Sequence, residues 1–526
     1  MGRIANAWWA RPRLACFWGG LLALGALAPL VCLIWQWPGP DRDSIAFLPA
    51  ALHCRQGDGL INPVWSGIEV TDPSGQDRFT LHGPLFPLWT AALMPSATIE
   101  SLQVPLLVFR LVNVLILVSA VTALVSRQSG PGAARTWRSR FPLAMLVILA
   151  DGAMRTGMYG RPEILAAPLL AAGFGLLMFR IGGSVCGFAA FGLLGVCAAV
   201  SPAVGFLAVL AGLTVLTSTK HFGEASTGRR LGLLVLMGVV AVAVFAICLS
   251  LTPHGLAESL SGIRRAGERD AGKGITGLGR LLRYGLVWWD RPFFGPPMLL
   301  AVGTAALALW KRAAPSSRWW LVAGQCACLA GIWFFGIRVA NVNYNLAAFS
   351  TVGFAWLLAW AWEEPGTALP SVARARWRCG LVAALLLPCQ LVHLKTGVEI
   401  AHMMRAGTGL GEARRAIRRV IRPGDCLLVK SGTWILLPEG SVMREWQEPL
   451  PFPELEGDRT LWVRQLVPSS NNERTRSEER KWKSVFQFGP AERPQVFGVP
   501  VTKFGPGYAF EVLQRVEGAH GGMNSD

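Results

Sequence analysis

Long apolar runs separated by short basic connections dominate this chain of 526 residues. A helix needs about 20 apolar residues to cross a bilayer, and an ionisable side chain near the bilayer centre costs roughly 2.5 to 3.5 kcal/mol on insertion scales. The chain is 52% hydrophobic and only 16% charged, and its charges fall mainly between the runs. We therefore expect an all-α polytopic membrane protein.

Hydropathy predicts about eleven membrane-spanning helices. They lie near residues 14–37, 101–125, 141–155, 164–180, 184–200, 203–218, 231–252, 295–310, 319–337, 346–362 and 379–395. The first run follows a basic segment and is long enough to span, so we expect a signal anchor that is not cleaved.

The distribution of positive charge predicts the topology, because cytoplasmic loops carry an excess of Lys and Arg. The segment Arg3–Arg13 is basic, whereas the loop Gly39–His82 is rich in acidic residues. This favours a cytoplasmic N-terminus, an outer first loop and, with an odd number of spans, an outer C-terminus. We predict a multi-pass protein of the inner (plasma) membrane. The net charge of +18 is spread over short loops, so no nucleic-acid partner is expected.

Composition also predicts two domains. Residues 1–398 are expected to form the transmembrane domain, with a first outer loop at 38–84, and residues 399–526 a small extracytoplasmic α/β domain. Periodicity in the second domain predicts helices and short strands. The helices are expected at Glu412–Arg422 and Asn472–Lys483, and the strands at Cys426–Val429, Leu461–Val463 and Phe510–Val516.

Two acids open the first outer loop, Asp41 and Asp43. The segment Ser44–Arg55 is predicted to be a surface helix with one apolar face, and Asp43 lies at or near its N-cap. Capping alone could explain Asp43. The functional interpretation is a partly desolvated carboxylate that accepts a proton from an acceptor hydroxyl or amine while a lipid-linked group departs. The two interpretations are compatible.

Six motifs follow one another along the first part of the chain. They are Asp43-Ser44, Gly57-Asp58-Gly59-Leu60, Asn62-Pro63-Val64-Trp65, His82-Gly83-Pro84-Leu85-Phe86-Pro87-Leu88, Phe109-Arg110-Leu111-Val112-Asn113 and Tyr159-Gly160-Arg161-Pro162-Glu163-Ile164-Leu165. Their order resembles that in integral-membrane glycosyltransferases of the GT-C superfamily. The nearest likeness is to the protein-mannosyltransferase-like and lipopolysaccharide-core-modifying branch.

The resemblance implies a cell-envelope enzyme that transfers a sugar from a polyprenyl-phosphate-linked donor to a glycan, lipid or protein acceptor on the outer face, with inversion. It implies an acid of the first loop as general base, which is Asp43 here, with Asp41 as the competitor. Membrane lipid is an expected partner. No cofactor is expected beyond the donor, and no ligand spacing identifies a metal site, although a divalent metal stays open. The alternative is a transporter or flippase of lipid-linked glycans, for which the chain lacks a visible internal repeat.

Three arginines are candidates for the donor phosphate: Arg110, Arg161 and Arg338. Each falls at a predicted outer end of an apolar segment, where a polyprenyl phosphate would need cations or helix N-termini. Interfacial snorkelling is the alternative. Arg338 precedes a polar cluster that contains Asn343 and Tyr344, and these two residues are further candidates for substrate contact.

His82 and Glu163 also have two interpretations each. His82 is either structural or in contact with substrate; where the family commonly has His-Pro-Pro, this chain has His82-Gly83-Pro84, which predicts a looser turn. Glu163 begins a predicted helix, where a negative charge offsets the dipole. Its functional interpretation is a second acid near the sugar or a metal ligand. The long basic loop His254–Pro292 is either a lid that attracts an anionic acceptor or a segment that rests on lipid headgroups.

Overall fold

A computed structural model describes a set of folded segments of the chain. These segments are residues 42–65, 72–80, 83–128, 160–179, 184–218, 227–272, 405, 407, 409–422, 424–429, 431–438, 441–445, 459–466, 482–489, 495–496, 499–500 and 508–516. The spans predicted near 14–37, 141–155, 295–310, 319–337, 346–362 and 379–395 lie outside them, so the total of about eleven remains a prediction.

The helices of the described segments, numbered within those segments, follow the apolar runs. They are α1 (Leu48–Gln56), α2 (Leu85–Leu93), α3 (Gln103–Gln128), α4 (Glu163–Phe179), α5 (Ser184–Val200), α6 (Pro202–Ser218), α7 (Thr227–Ser250), α8 (Gly255–Gly272) and α9 (Leu410–Ile417). The predicted helices near 101–125, 164–180, 184–200, 203–218 and 231–252 are confirmed as α3 to α7. Within the described segments, α7 alone is both long and apolar enough to cross a membrane, while α4 and α5 are apolar but shorter.

Small residues let the apolar helices approach one another closely. A Cβ atom placed on Gly195 of α5 would lie 2.4 Å from the carbonyl oxygen of Ala241 in α7. A Cβ atom on Gly205 of α6 would lie 2.1 Å from the Cα atom of Ala198 in α5. Such contacts replace the hydrophobic driving force that helices lack inside lipid, so α5 packs backbone to backbone against both neighbours.

A five-stranded mixed sheet forms the core of the C-terminal segments. Its strands are β1 (Cys426–Val429), β2 (Val442–Glu445), β3 (Thr460–Gln465), β4 (Trp482–Phe488) and β7 (Phe510–Arg515), in the spatial order β2-β1-β3-β7-β4. The pairs β1–β2 and β1–β3 are parallel, and β7 is antiparallel to β3 and β4. A separate hairpin joins β5 (Gln495–Val496) and β6 (Val499–Pro500).

Most of the predicted C-terminal elements are confirmed, with corrections to their ends. Strands β1, β3 and β7 match the three predicted stretches, although β7 ends at Arg515, and α9 covers Leu410–Ile417 where Glu412–Arg422 was predicted. The helix predicted over Asn472–Lys483 is wrong at its end, because Lys483 lies in β4; residues 472–481 are outside the described segments. The rings of Phe486 and Phe488 pack on Phe510 of β7, and this pairing stabilises a strand there.

The first loop is not a surface helix. It starts with a 3₁₀ helix, Arg42–Ala46, here named the first-loop 3₁₀ helix, and continues into α1. Every residue from 44 to 52 is buried. The predicted burial of the apolar face is therefore confirmed, whereas the prediction that the opposite face is exposed at the surface is wrong. Asp43 is not the cap of α1, because Phe47 occupies the N-cap position and no side chain caps the helix.

Polar contacts fasten the C-terminal sheet to this loop. Arg444 of β2 pairs with Asp77, with 3.1 Å between Nη1 and Oδ1, and also donates to the carbonyl of Pro63. The backbone amide of Glu445 donates to the carbonyl of Val64 at 2.6 Å. The buried side chains of the loop, the apolar helices and the sheet form one continuous cluster, so these parts of the chain pack as a unit.

The close approach of α5 and α7 gives a matched stability test. Gly195→Ala should lower the free energy of unfolding by about 1 to 3 kcal/mol, because the new methyl group meets backbone that cannot move aside cheaply. Gly192→Ala, one turn away on the same helix, has open space around its Cβ position and should be neutral or stabilising by up to about 1 kcal/mol. Thermal unfolding of the two variants in detergent measures the difference. Equal melting temperatures would contradict the packing.

Candidate functional site

Four phenylalanines join the first loop to the apolar helices. The ring of Phe47 meets Phe79 and Phe86 edge to face, with centroids 6.4 and 6.3 Å apart. Phe86 of α2 packs in turn on Phe109 of α3 at 6.2 Å. All four are buried. This aromatic cluster holds the first-loop 3₁₀ helix against the first turns of α2 and α3, since Phe47 follows that helix directly.

A buried ion pair lies under the same cluster. Arg161 Nε donates to Glu163 Oε2 at 3.1 Å, and the two side chains are only 2% and 3% exposed. The guanidinium carbon of Arg161 lies 5.6 Å from the centroid of the Phe47 ring. Buried charges are strongly unfavourable unless they are paired, and inside a membrane protein such a pair is a functional-site candidate by default. Glu163 begins α4, which confirms its predicted place at a helix start.

Two hydrogen bonds fix the first-loop 3₁₀ helix from the sides. Trp434 donates from Nε1 to Ser44 Oγ at 3.3 Å, and Asn62 donates from Nδ2 to the carbonyl of Ile45 at 3.0 Å. Asn62 Oδ1 also accepts from the amide of Trp65 at 3.3 Å. Ser44 and Asn62 are fully buried, so these bonds are shielded from water. The helix that carries Asp43 therefore has a defined position.

Sequence reasoning missed Asn62 and Trp434 as residues of this site. Asn62 opens one of the family-like motifs, and a polar side chain before a proline in an otherwise apolar stretch is the signal that could have identified it. Trp434 gives no comparable signal, because it lies 390 positions from Ser44 and no spacing rule relates the two.

Hydrogen bonds to charged side chains stabilise residues 72–78 of the first loop. Asp72 accepts hydrogen bonds from Ser74 and from the amide of Arg78, the latter at 2.7 Å. Burial raises the pKa of Asp72, but these hydrogen bonds outweigh it and leave the pKa below its ordinary value. The hydrogen bond to Glu258 of α8, at 2.6 Å, raises the pKa of Arg78. Both groups are thus ionised at neutral pH and shape the loop.

The described start of the long loop after α7 is helical and packs on the first loop. A Cβ atom on Gly262 of α8 would lie 2.2 Å from the Thr80 side chain. His254 donates from Nε2 to the carbonyl of Leu60 at 2.8 Å. The segment is thus a neighbour of the first loop, and its remainder from residue 273 lies outside the described segments.

Gly83 packs closely on the end of α5. A Cβ atom there would lie 1.8 Å from the carbonyl oxygen of Ala199. The glycine therefore permits close packing of backbone on backbone. Residues 81–82 lie outside the described segments, so the looser turn at His82 stays a prediction.

An apolar groove adjoins the aromatic cluster. It lies among α2, α4, α5 and α7, is open on one side and has a volume of about 380 Å³. Its walls include Leu85, Leu88, Trp89, Leu169, Val196 and Leu251. Grooves lined in this way suit hydrocarbon chains.

The candidate residues fall into two groups. The structure brings Arg161 and Glu163 under Phe47, one residue beyond the helix that contains Asp43. Arg110 is half-buried on α3 and has no ion-pair partner within the described segments. The others lie outside those segments: Asp41, His82, Arg338, Asn343 and Tyr344. Within the described part of the chain, no group of three or more His, Cys, Asp or Glu side chains is arranged to hold a metal ion.

Comparison with known proteins gives structural matches only. No protein-family model and no curated protein matches the chain. The crystal structure of ArnT from Cupriavidus metallidurans bound to undecaprenyl phosphate matches with a TM-score of 0.52 and 13% identity, over 96% of this chain and 99% of that chain. Its apo state matches with a TM-score of 0.50 and 12% identity, over 95% and 98%. An oligosaccharyltransferase from Archaeoglobus fulgidus matches with a TM-score of 0.44 and 13% identity, and the match covers 82% of this chain but 63% of that one.

The ArnT match extends over nearly the full length of both chains. The chain therefore shares the fold of ArnT.

Proposed function

We propose that this protein is a membrane glycosyltransferase that moves a sugar from a polyprenyl-phosphate-linked donor to an acceptor on the outer face of the inner membrane. The observation that carries the proposal is the buried Arg161–Glu163 pair, which packs on Phe47 beside the helix that carries Asp43. The shared fold with ArnT, a protein crystallised with undecaprenyl phosphate, supports this donor class. In the proposal the first loop and the C-terminal sheet both lie outside the membrane.

Asp43 is the proposed general base. Its carboxylate accepts the proton from the acceptor hydroxyl or amine while that atom attacks the anomeric carbon. The bond from the anomeric carbon to the phosphate oxygen breaks, and the polyprenyl phosphate departs as an anion. Attack opposite the leaving group inverts the anomeric carbon. Asp41, two residues earlier, is the alternative base.

The leaving phosphate needs positive charge nearby, because its charge grows as the bond breaks. Arg110 is the proposed contact from α3, and Arg338 is the second, with Asn343 and Tyr344 next to it in the sequence. Arg161 is largely neutralised by Glu163, so we propose that this pair forms the floor of the site under the donor.

The remaining parts of the site follow from the chemistry of the donor. His82 is proposed to contact the sugar or the acceptor, since it precedes the closely packed Gly83. The apolar groove beside α2 would hold part of the isoprenoid chain, and membrane lipid would surround the rest. Arginine contacts suffice to hold the phosphate, so we propose no cofactor beyond the donor. No comparison supports the transporter alternative, and we do not propose it.

Replacing the base tests the chemistry directly. Asp43→Asn should lower transfer by about 100-fold or more, because general-base catalysis contributes about that factor. The assay is sugar transfer in membranes from a polyprenyl-phosphate sugar, normalised to expression. Asp58→Asn is the matched control, since Asp58 is an exposed acid of the same loop paired with His53, and it should be near wild type.

Asp41→Asn tests the alternative base in the same assay. If Asp41→Asn is inactive and Asp43→Asn is active, Asp41 is the base. Full activity in both variants would reject a first-loop base altogether.

Removing the proposed phosphate contacts should affect binding before turnover. Arg110→Ala and Arg338→Ala should each raise the apparent KM for the donor by roughly 10-fold to 100-fold, the value of one hydrogen bond to a charged group. Arg264→Ala is the control, because Arg264 is exposed on α8 and pairs with Glu268. Steady-state kinetics with varied donor concentration separates KM from kcat. An unchanged KM for the donor would count against a contact between that arginine and the phosphate.

A further inference from the structure

We propose that the C-terminal sheet positions the general base, through the hydrogen bond that Trp434 donates to Ser44. The inference rests on the proposed function, in which Asp43 is that base. It gives the C-terminal segments a role in the reaction, although their sequence has no phosphate-loop or dinucleotide-binding pattern. Trp434 is then a positioning residue, because it acts on Asp43 only through Ser44.

Trp434 is itself held in place on both sides. It lies in a 3₁₀ helix, Ser431–Leu436, that follows the carboxyl end of β1. Thr433 donates from Oγ1 to the carbonyl of Val463 in β3 at 2.9 Å. Arg414 of α9 donates from Nε to the carbonyl of Ile435 at 2.8 Å. Both neighbours of Trp434 are therefore tied to the sheet or to its helix, and the indole cannot move without disturbing them.

The contact with Ser44 is shielded from solvent. Trp434 is 1% exposed and Ser44 is 0% exposed. Water cannot replace either partner there, so losing one leaves the other buried without its hydrogen bond, which is costly. The bond therefore restrains where the first-loop 3₁₀ helix lies relative to the sheet.

The restraint on Ser44 also limits the position of Asp43. Asp43 is the residue directly before Ser44, and both lie inside the five-residue first-loop 3₁₀ helix. On the other side, Asn62 holds the carbonyl of Ile45 at 3.0 Å. Because a displacement of about 1 Å can cost about 100-fold in rate, release of Ser44 should reduce turnover. The donor contacts proposed above are on other elements, so binding of the donor should be spared.

Other contacts keep the sheet docked when this bond is removed. Arg444 pairs with Asp77, and the amide of Glu445 donates to the carbonyl of Val64. Arg414 pairs with Glu100. A variant that loses only the indole N–H should therefore fold with the sheet in place, and its defect should appear in the rate.

The test is a double-mutant cycle on the full-length protein in membranes. Trp434→Phe removes the donor and keeps an aromatic ring, and Ser44→Ala removes the acceptor. Each should lower kcat about 10-fold or more with little change in the donor KM. The double variant should be no slower than the slower single variant, because both remove the same bond. Trp482→Phe is the matched control, since Trp482 of β4 is a buried tryptophan that packs with Leu428, Trp462 and Leu513 in a separate cluster on the sheet, and its kcat should be unchanged.

Three results would overturn the inference: an unchanged kcat in Trp434→Phe, losses that multiply in the double variant, or an equal loss in Trp482→Phe. If Trp434→Phe fails to fold, the smaller change Ser44→Ala carries the test with the same expected loss. Asp43→Asn in the same assay separates the two proposals. An inactive Asp43→Asn beside an unaffected Trp434→Phe rejects only the positioning role, whereas a fully active Asp43→Asn rejects the general base.

Discussion

The packing of Phe47 on Arg161 is the interaction on which the rest of the site depends. Glu163 compensates the charge of the buried Arg161, and the guanidinium of Arg161 lies over the face of the Phe47 ring. Phe47 follows the first-loop 3₁₀ helix and meets Phe79 and Phe86 at the same place. These contacts pack the first loop against α2 and the start of α4, and they thereby restrain the position of the backbone at Asp43.

The first-loop 3₁₀ helix lies between two supports of different kinds. On one side are the Arg161–Glu163 pair at the start of α4 and the rings of Phe86 in α2 and Phe109 in α3. Beside it is the C-terminal sheet, which reaches it through Trp434 and is fastened to the same loop by Arg444. In this arrangement the helices would hold the lipid donor and the sheet would set the angle of the base. That division accounts for a sheet that packs on the first loop but carries no catalytic motif of its own.

Apolar runs made α3 to α7 predictable, because their length and composition leave few alternatives to a helix. Arg161 and Glu163 were predicted as separate candidates, Arg161 for the donor phosphate and Glu163 as an acid at a helix start. The ion pair between them under Phe47 could not be predicted, because that arrangement depends on how the first loop folds back. The bond from Trp434 to Ser44 joins residues that no local pattern relates. Lys483 was misassigned to a helix because a polar sequence gave no sign of the partner strand β7 that pairs with it.

In the proposed mechanism, the reaction takes place between the first-loop 3₁₀ helix and the helices α2 to α4 that pack against it. A structure of the purified protein with bound undecaprenyl phosphate tests this location most directly. We expect the phosphate within direct contact distance of Arg110 and beside residues 42–46, with the isoprenoid chain entering the groove lined by Leu85 and Leu169. A phosphate bound at the opposite ends of α3 and α4, remote from the first loop, would contradict it.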